Sequence, residues 1–256
     1  LKNSIRDDTI LLACMLVNNE IGVIQPIEEV VKIVKEESNN TKLHIDGVQA
    51  LGKMPINIKK LGVDSFTFSS HKFHGPKGIA GLYVKKGLNI RSIIYGGNQE
   101  SGLRSGTENV PGIAGFGVAI KEVKNNFSKE KKHILDLKNY FIDRIRNEIS
   151  GVKFNSFLDE RCAPHIVSMS FSDIRGEVLL HYLERDNIYV STGSACSSND
   201  KNKSKSSVLN AIGLTDEEIE GTIRFSFSYM NTKEEINYTI DKLKTSIEEI
   251  RRITMR

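Results

Sequence analysis

The sequence has no tryptophan, only five prolines and only three cysteines among its 256 residues. The cysteines Cys14, Cys162 and Cys196 lie far apart, and none belongs to a Cys-x-x-Cys pair. A structural zinc site needs closer ligand spacing, so we predict no metal site. An odd and sparse cysteine count is typical of a reducing compartment, which predicts a cytoplasmic location.

The sequence also lacks a long apolar run and an excess of one charge. No stretch is apolar for long enough to span a bilayer, and Leu1 is not followed by the basic and then apolar regions of a secretory signal. The net charge is only +4, with basic clusters limited to 201–205 and 251–252. A nucleic-acid-binding surface normally shows a denser basic stripe with aromatic residues. We therefore predict neither membrane insertion nor direct nucleic-acid binding.

Apolar runs of strand length alternate with helical patterns or polar turns through the first half of the chain. This alternation predicts an α/β fold with a mostly parallel sheet. The predicted strands are 10–17, 43–46, 64–69 and 81–84, and the first predicted helix is 26–37.

The pattern changes after a long helical stretch at 110–150. We predict strands at 166–171, 188–190 and 222–228, and helices at 176–185, 207–212 and 233–253. A domain boundary near residue 130 would give a large domain over 1–130 and a smaller α+β domain over 131–256. Two segments rich in Gly, Ser and Asn or Lys, 96–106 and 191–206, are predicted to be functional loops.

Lys72 directly follows a predicted buried strand, in the segment Ser-Ser-His-Lys-Phe-His-Gly-Pro-Lys-Gly. A turn with small and ring-bearing neighbours can remove water from an amine. This desolvation favours the neutral, nucleophilic form, which suits a Schiff-base lysine. Ser69 and His71 beside it can donate hydrogen bonds to an anion. Taken alone, however, a lysine in such a turn rich in glycine and proline is more often an ordinary surface residue.

Asp46 is predicted at the carboxyl end of a parallel strand, where α/β folds bind ligands. A carboxylate there can keep a pyridinium nitrogen protonated, and Gln49 lies in the same turn. Alternatively, Asp46 caps a helix. Cys196 lies in Ser-Thr-Gly-Ser-Ala-Cys-Ser-Ser, a composition that indicates an exposed nucleophilic thiol rather than an inert core cysteine.

Six segments together resemble the class V, fold-type I pyridoxal-phosphate enzymes. Their order and spacing resemble in particular the cysteine desulfurases of the IscS and NifS type. The segments are 17–22, 44–49, 69–78, 104–109, 191–197 and 223–226. The resemblance implies the fold-type I transferase architecture, with an incomplete large domain and a small C-terminal domain that carries the cysteine loop.

The resemblance implies a set of residues that bind pyridoxal 5'-phosphate. Lys72 would hold the cofactor covalently, Asp46 would pair with its pyridine nitrogen, and Gln49 would hydrogen-bond its ring oxygen. Ser69 and His71 would bind the phosphate group.

The resemblance also implies residues for the partner subunit and the substrate. Thr107 would reach the phosphate in the partner subunit of a homodimer. Asn19 and Arg224 would receive the substrate carboxylate, which suits a planar guanidinium. Cys196 would accept the sulfur of L-cysteine as a persulfide, releasing L-alanine.

The implied function is a cysteine desulfurase that passes sulfur to an acceptor protein. The acceptor would be an iron–sulfur scaffold or a tRNA-thiolation enzyme. Two alternatives remain: another class V enzyme, such as a selenocysteine lyase or an aminotransferase, or an inactive remnant that only binds partners. Because the family's N-terminal portion has no counterpart here, we expect a fragment of a longer protein or a truncated product, and turnover by this chain alone stays open.

Overall fold

The computed structural model describes residues 1–38, 40–193 and 206–254. The chain forms two compact units, which are described separately below. The first comprises Leu1–Val17 and Gln25–Phe127, and the second comprises Asn18–Ile24 and Ser128–Arg256. The domain boundary near residue 130 stays a prediction. Within the described ranges, no helix is both long and apolar enough to cross a bilayer.

The first unit contains a four-stranded sheet in the order β1-β2-β3-β4. Strands β1 (Leu11–Met15), β2 (Lys42–Asp46) and β3 (Ser65–Ser69) are parallel, and β4 (Ala80–Val84) is antiparallel to β3. In this register Asp46 pairs with Met15 on one side and with Thr67 on the other. The carboxyl ends of β2 and β3 are therefore neighbours on one edge of the sheet.

Two helices connect the parallel strands. Helix α1 (Ile27–Glu37) follows Pro26 and buries Ile27, Val31 and Val34, which lie on one face because they are spaced by four and three residues. The short helix α2 (Ile58–Leu61) begins at Asn57, whose side chain accepts a hydrogen bond from the Lys60 amide, and ends at Gly62. Short 3-10 helices occupy Lys2–Ser4, Ser70–Phe73 and Glu100–Gly102.

The second unit contains an antiparallel sheet in the order β5-β6-β7, flanked by helices. Every residue of the central strand β6 is buried, as expected for a strand that is covered on both faces. The strands are β5 (Val152–Phe154), β6 (Ile166–Phe171) and β7 (Thr222–Ser226). The helices are α3 (Val110–Glu148), which contributes to both units, α4 (Gly176–Arg185), α5 (Ser207–Ala211), α6 (Asp216–Glu220) and α7 (Lys233–Thr254).

The core of the second unit lies where α3, α4 and α7 pack on this sheet. Phe141 of α3 contacts the rings of Phe225 and Phe227, with centroid separations of 4.9 and 5.5 Å. Leu179 of α4 and Ile240 of α7 belong to the same buried cluster. Burial of this apolar surface stabilises the unit and fixes the strand that carries Arg224.

The predicted α/β class with a mostly parallel sheet is confirmed, but the strand predicted at 188–190 is wrong. Asn187 adopts a left-handed conformation with φ of 59°, directly after α4. The Ile188 amide then donates to the Leu183 carbonyl at 3.0 Å. This N–H group is therefore not available for a hydrogen bond to a neighbouring strand. Pairing is left to Ser191 alone, which forms an isolated antiparallel bridge with Arg224.

Candidate active site

Most of the predicted cofactor residues lie just beyond the carboxyl ends of β2 and β3. Asp46 is the last residue of β2, and Ser69 is the last residue of β3. Ligands in α/β proteins bind at this edge because the turns that leave the strands present their side chains and main-chain groups there. The fold of the first unit therefore brings Asp46 and Ser69 to neighbouring strand ends.

The 3-10 helix Ser70–Phe73 sets the position of Lys72. It begins directly after β3 and ends at His74, which is left-handed with φ of 69°. Phe73 is only 2% exposed and contacts the Phe116 ring at a centroid distance of 5.6 Å, so it anchors the turn. Lys72 itself is half-buried. Its role as the Schiff-base lysine stays a prediction.

Ser69 and His71 are brought into direct contact by the same turn. Ser69 Oγ lies 2.7 Å from His71 Nδ1. His71 is exposed, whereas Ser69 is half-buried. The hydroxyl and the imidazole together form a small polar pair next to Lys72 in sequence, and one of the two can donate a hydrogen bond to an anion while they remain in contact.

The turn after β2 is held by Asp46. Its Oδ1 accepts a hydrogen bond from the Val48 amide at 2.8 Å, and the carboxylate is half-buried. Gln49, which is also half-buried, lies in the same turn. Gly47 is required here for a steric reason, because a Cβ at that position would lie 1.9 Å from the Phe66 ring.

This set of donors and acceptors fits pyridoxal 5'-phosphate. The cofactor has an aldehyde that condenses with an amine, a ring nitrogen that pairs with a carboxylate, and a phosphate that takes hydrogen bonds from hydroxyl and imidazole groups. Lys72, Asp46, Ser69 and His71 are groups of those types, gathered at two neighbouring strand ends. In the same turn, the buried Ser70 Oγ has no hydrogen-bond partner among the described residues.

Thr107 is exposed in the loop that precedes α3. The neighbouring Gly106 amide donates to Gln99 Oε1 at 3.0 Å, and Asn109 Oδ1 accepts from the Gly112 amide at 3.0 Å in the first turn of α3. These contacts fix the chain on both sides of Thr107. The contact of Thr107 with the cofactor phosphate of a partner subunit stays a prediction.

The segment 18–24 belongs to the second unit by its contacts. The Gly22 carbonyl accepts from the Ala163 amide at 2.8 Å, and the Ile24 amide donates to the Arg161 carbonyl at 2.8 Å. Gly22 has φ of 74°, and a Cβ there would lie 2.9 Å from Cys162 Sγ. A close, glycine-dependent approach therefore fixes the segment that carries Asn19.

Asn19 and Arg224, the predicted substrate residues, are in contact. Arg224 Nη1 donates to the main-chain oxygen of Asn19 at 2.8 Å. The Arg224 main chain pairs with Ser191 through two hydrogen bonds of 2.7 and 3.2 Å. Arg224 Nε is buried and has no hydrogen-bond partner within the part of the chain that the structure describes. Nε is thus an unused donor on one edge of the guanidinium.

A buried carboxylate lies beside this pair and was given no role by the sequence. Glu20 is 7% exposed, and its Oε2 accepts a hydrogen bond from Ser206 Oγ at 2.5 Å. Burial lowers the pKa of Arg224, and the negative charge of Glu20 opposes that change. The only sequence signal was an acidic residue in the otherwise uncharged segment Val-Asn-Asn-Glu-Ile-Gly.

The predicted nucleophile Cys196 lies outside the described residues. The other two cysteines are free thiols. Cys14 is half-buried in β1, and burial raises its pKa. Burial also raises the pKa of Cys162, whose Sγ donates to the Ile21 carbonyl at 3.2 Å. In the described ranges, no three His, Cys, Asp or Glu side chains are grouped closely enough to hold a metal ion.

The sequence matches the family model described as aminotransferase class-V over residues 1–239. Among curated proteins, the cysteine desulfurase IscS of Dictyoglomus turgidum is 44% identical over 254 residues, covering 99% of this chain and 63% of that protein. The chain therefore spans less than two thirds of the length of this relative.

Two solved structures extend the comparison to the fold. A NifS-like protein aligns with a TM-score of 0.87 and 39% identity, covering 97% of this chain and 64% of that chain. The structure described as SspA in complex with cysteine aligns with a TM-score of 0.69 and 29% identity, covering 90% of this chain and 62% of that chain. These similarities agree with the fold predicted from the six segments.

Proposed function

Because the chain belongs to the aminotransferase class-V family, we propose that the protein is a pyridoxal-phosphate-dependent cysteine desulfurase. It converts L-cysteine to L-alanine and holds the sulfur as a persulfide on Cys196. The observation that carries the proposal is the placement of Asp46, Ser69, His71 and Lys72 at the neighbouring carboxyl ends of β2 and β3. The names of the similar proteins, a cysteine desulfurase and a NifS-like protein, support the choice of reaction.

Five residues of the first unit hold the cofactor in this proposal. Lys72 Nζ forms the covalent attachment, and Asp46 keeps the ring nitrogen protonated. Ser69 and His71 contact the phosphate, and their mutual hydrogen bond of 2.7 Å holds the hydroxyl and the imidazole side by side. Gln49 donates to the ring oxygen from the turn after β2. When bound, the cofactor supplies an electron sink that weakens the bonds around the substrate's α-carbon.

Arg224 and Asn19 receive the substrate in this proposal. The buried Nε of Arg224, together with Nη2, forms the planar edge that matches a carboxylate, while Nη1 is held by the Asn19 carbonyl. This arrangement orients the amino acid by its carboxylate. The structure described as SspA in complex with cysteine supports L-cysteine as the substrate, although the bound cysteine is an observation on SspA.

Cys196 is the nucleophile that takes the sulfur. Its thiolate attacks the substrate sulfur, a sulfur–sulfur bond forms, and the carbon–sulfur bond of L-cysteine breaks. The carbon skeleton takes up a proton and leaves as L-alanine. The thiol and L-cysteine thus yield the persulfide and L-alanine, without an external oxidant or reductant.

The finer parts of the proposal concern partners and location. The protein acts as a homodimer in which Thr107 reaches the partner subunit's cofactor phosphate, and its exposure leaves it accessible for that contact. An acceptor protein, an iron–sulfur scaffold or a tRNA-thiolation enzyme, then takes the sulfur from Cys196. A cytoplasmic location is supported by the sparse cysteines, two of which are free thiols.

Replacement of the nucleophile tests the reaction. In the full-length protein loaded with cofactor, Cys196→Ser should abolish L-alanine formation from L-cysteine in the presence of a thiol reductant. The matched control, Cys14→Ser, changes a half-buried thiol in β1 and should retain at least about half of the wild-type rate. Mass spectrometry should find an additional sulfur atom on the peptide that contains Cys196. Normal alanine formation by Cys196→Ser would exclude this residue as the nucleophile.

A further inference from the structure

Glu20 connects two parts of the second unit that are remote in sequence. Its carboxylate accepts the hydroxyl hydrogen of Ser206, which is 186 residues away, at 2.5 Å. A Cβ added to Gly193 would lie 4.0 Å from Glu20 Oε2, so residue 193 is also close to this carboxylate. Glu20 therefore lies close to residues 193 and 206, both of which are remote from it in sequence.

The same segment holds the guanidinium of Arg224. The main-chain oxygen of Asn19, directly before Glu20, accepts from Arg224 Nη1 at 2.8 Å. The turn that presents this oxygen is fixed by Asn18, whose Oδ1 accepts from the amides of Glu20 and Ile21 at 2.9 Å each. The Glu20 carboxylate also interacts favourably with the charge of Arg224. Movement of Glu20 would therefore move the oxygen that orients the guanidinium.

We infer that Glu20 is a positioning residue that, through its bond to Ser206, holds Arg224 in the orientation that receives the substrate carboxylate. The inference depends on the proposed function only for the identity of the ligand. Glu20 does not touch the substrate in this account. It acts through the Asn19 carbonyl, which accepts the hydrogen bond from Arg224 Nη1.

The packing around Glu20 and Ser206 allows this contact to be changed without loss of the fold. Ile21, which follows Glu20, packs with Leu209 of α5 and with Leu214 and Ile219 in one buried cluster. This apolar contact keeps the two segments together when the hydrogen bond is removed. Ser206 has a second role, since its Oγ accepts from the Leu209 amide at 3.1 Å and caps α5. A variant at 206 must therefore preserve the cap.

Steady-state kinetics of the full-length holoenzyme with L-cysteine test the inference. Glu20→Ala should raise KM about tenfold and change kcat by less than about threefold, because a loosened guanidinium weakens carboxylate binding. Charge alone predicts the opposite sign, since removal of a nearby negative charge strengthens the attraction of Arg224 for a carboxylate. An unchanged or lowered KM in Glu20→Ala would therefore overturn the positioning role.

A pair of variants at residue 206 provides the matched control. Ser206→Asp keeps a side chain that caps α5 but replaces the hydroxyl donor with a carboxylate that repels Glu20. It should raise KM at least as much as Glu20→Ala. Ser206→Thr keeps both the cap and the donor and should stay within about twofold of the wild-type KM. Equal KM values for the Asp and Thr variants would contradict the inference, even if Glu20→Ala did not fold.

The reactivity of Arg224 provides a readout that does not require turnover. Phenylglyoxal modifies accessible guanidinium groups, and peptide mass spectrometry gives the rate at Arg224. The rate should be several-fold higher in Glu20→Ala and Ser206→Asp than in the wild type and Ser206→Thr. Absence of desulfurase activity in the wild type would contradict the proposed function. The labelling rates would still show whether Glu20 positions Arg224. Equal rates in all four proteins would overturn the positioning role.

Discussion

The polar side chains after β2 and β3 differ from those around Arg224 in how they are assembled. Ser69 and His71 are two residues apart and touch within one short turn. In contrast, Arg224 contacts the Asn19 carbonyl across 205 residues of sequence. The first set is therefore fixed by strand ends and local turns, whereas the second depends on the tertiary structure of the second unit. Single side chains should determine activity in the first set, while remote packing changes should affect the second.

The largest expected effect is the loss of a single side chain from the first set. Lys72→Ala should lower the rate of L-alanine formation by about a thousandfold or more, because no other group replaces the covalent amine. The melting temperature should change little, since Lys72 is half-buried while Phe73 anchors the turn. Lys86→Ala, which alters an exposed lysine just after β4, is the control and should behave like the wild type.

An active Lys72→Ala protein would show that the local turn after β3 is not the chemical centre. A large loss of stability in this variant would also count against that role. Both outcomes are distinguished by measuring the rate and the unfolding midpoint on the same preparation.

A packing change remote from Arg224 should produce the next largest effect. Gly22→Ala forces a side chain into a left-handed position, φ of 74°, and places Cβ 3.0 Å from Ile166 Cβ. We expect the free energy of unfolding to fall by about 2–3 kcal/mol and KM for L-cysteine to rise, because the segment that carries Asn19 must shift. Urea unfolding monitored by circular dichroism, together with steady-state kinetics, measures both.

Gly213→Ala separates backbone strain from crowding in the same unit. Gly213 has φ of 84°, but no atom lies within 4 Å of an added Cβ. Only the strain of about 1 kcal/mol should remain, with no change in KM. If Gly22→Ala were no more destabilising than Gly213→Ala, the close approach between segment 18–24 and residues 162–166 would not be important for the second unit.

The smallest expected effect is the loss of stability when an ion pair on the surface of the second unit is removed. Two hydrogen bonds lower the pKa of Glu148 from 4.5 to about 2. The bond from Arg144 has the larger effect and the bond from Lys244 the smaller one. The stabilisation is therefore present above about pH 4.5 and is lost as the pH falls through about 2. Glu148→Gln should cost less than about 1 kcal/mol at pH 7 because the pair is partly exposed.

Melting temperatures measured between pH 7 and pH 2 test this pair. The difference between the wild type and Glu148→Gln should shrink steadily below pH 4.5. A difference that is constant over the whole range would show that the carboxylate charge does not stabilise the unit.

The elements with strong local patterns could be predicted from the sequence. Strand β6, helix α4 and the turn that carries Lys72 follow from apolar runs, helical spacing and residues typical of turns. Helix α6 (Asp216–Glu220) was not predicted from the sequence. Its capping box, formed by Thr215 and Glu218, was nevertheless visible as Thr-Asp-Glu-Glu.

The contacts that span the chain could not be predicted in the same way. Nothing near Glu20 in sequence indicates that its partner is Ser206, and the Asn19 main-chain contact to Arg224 involves a group that every residue has. The strand predicted at 188–190 failed for a related reason, because a main-chain hydrogen bond to α4 competes with sheet pairing. Such contacts depend on tertiary structure, which local periodicity does not encode.

In the proposed function, Lys72 is the residue that carries pyridoxal phosphate. Borohydride reduction converts a reversible lysine–carbonyl linkage into a permanent one, so the full-length protein should be incubated with the cofactor, reduced, digested and analysed by mass spectrometry. A phosphopyridoxyl group should be found on the peptide that contains Lys72, and it should be absent from Lys72→Ala. Modification at another lysine, or no modification in a folded wild-type protein, would contradict this role of Lys72.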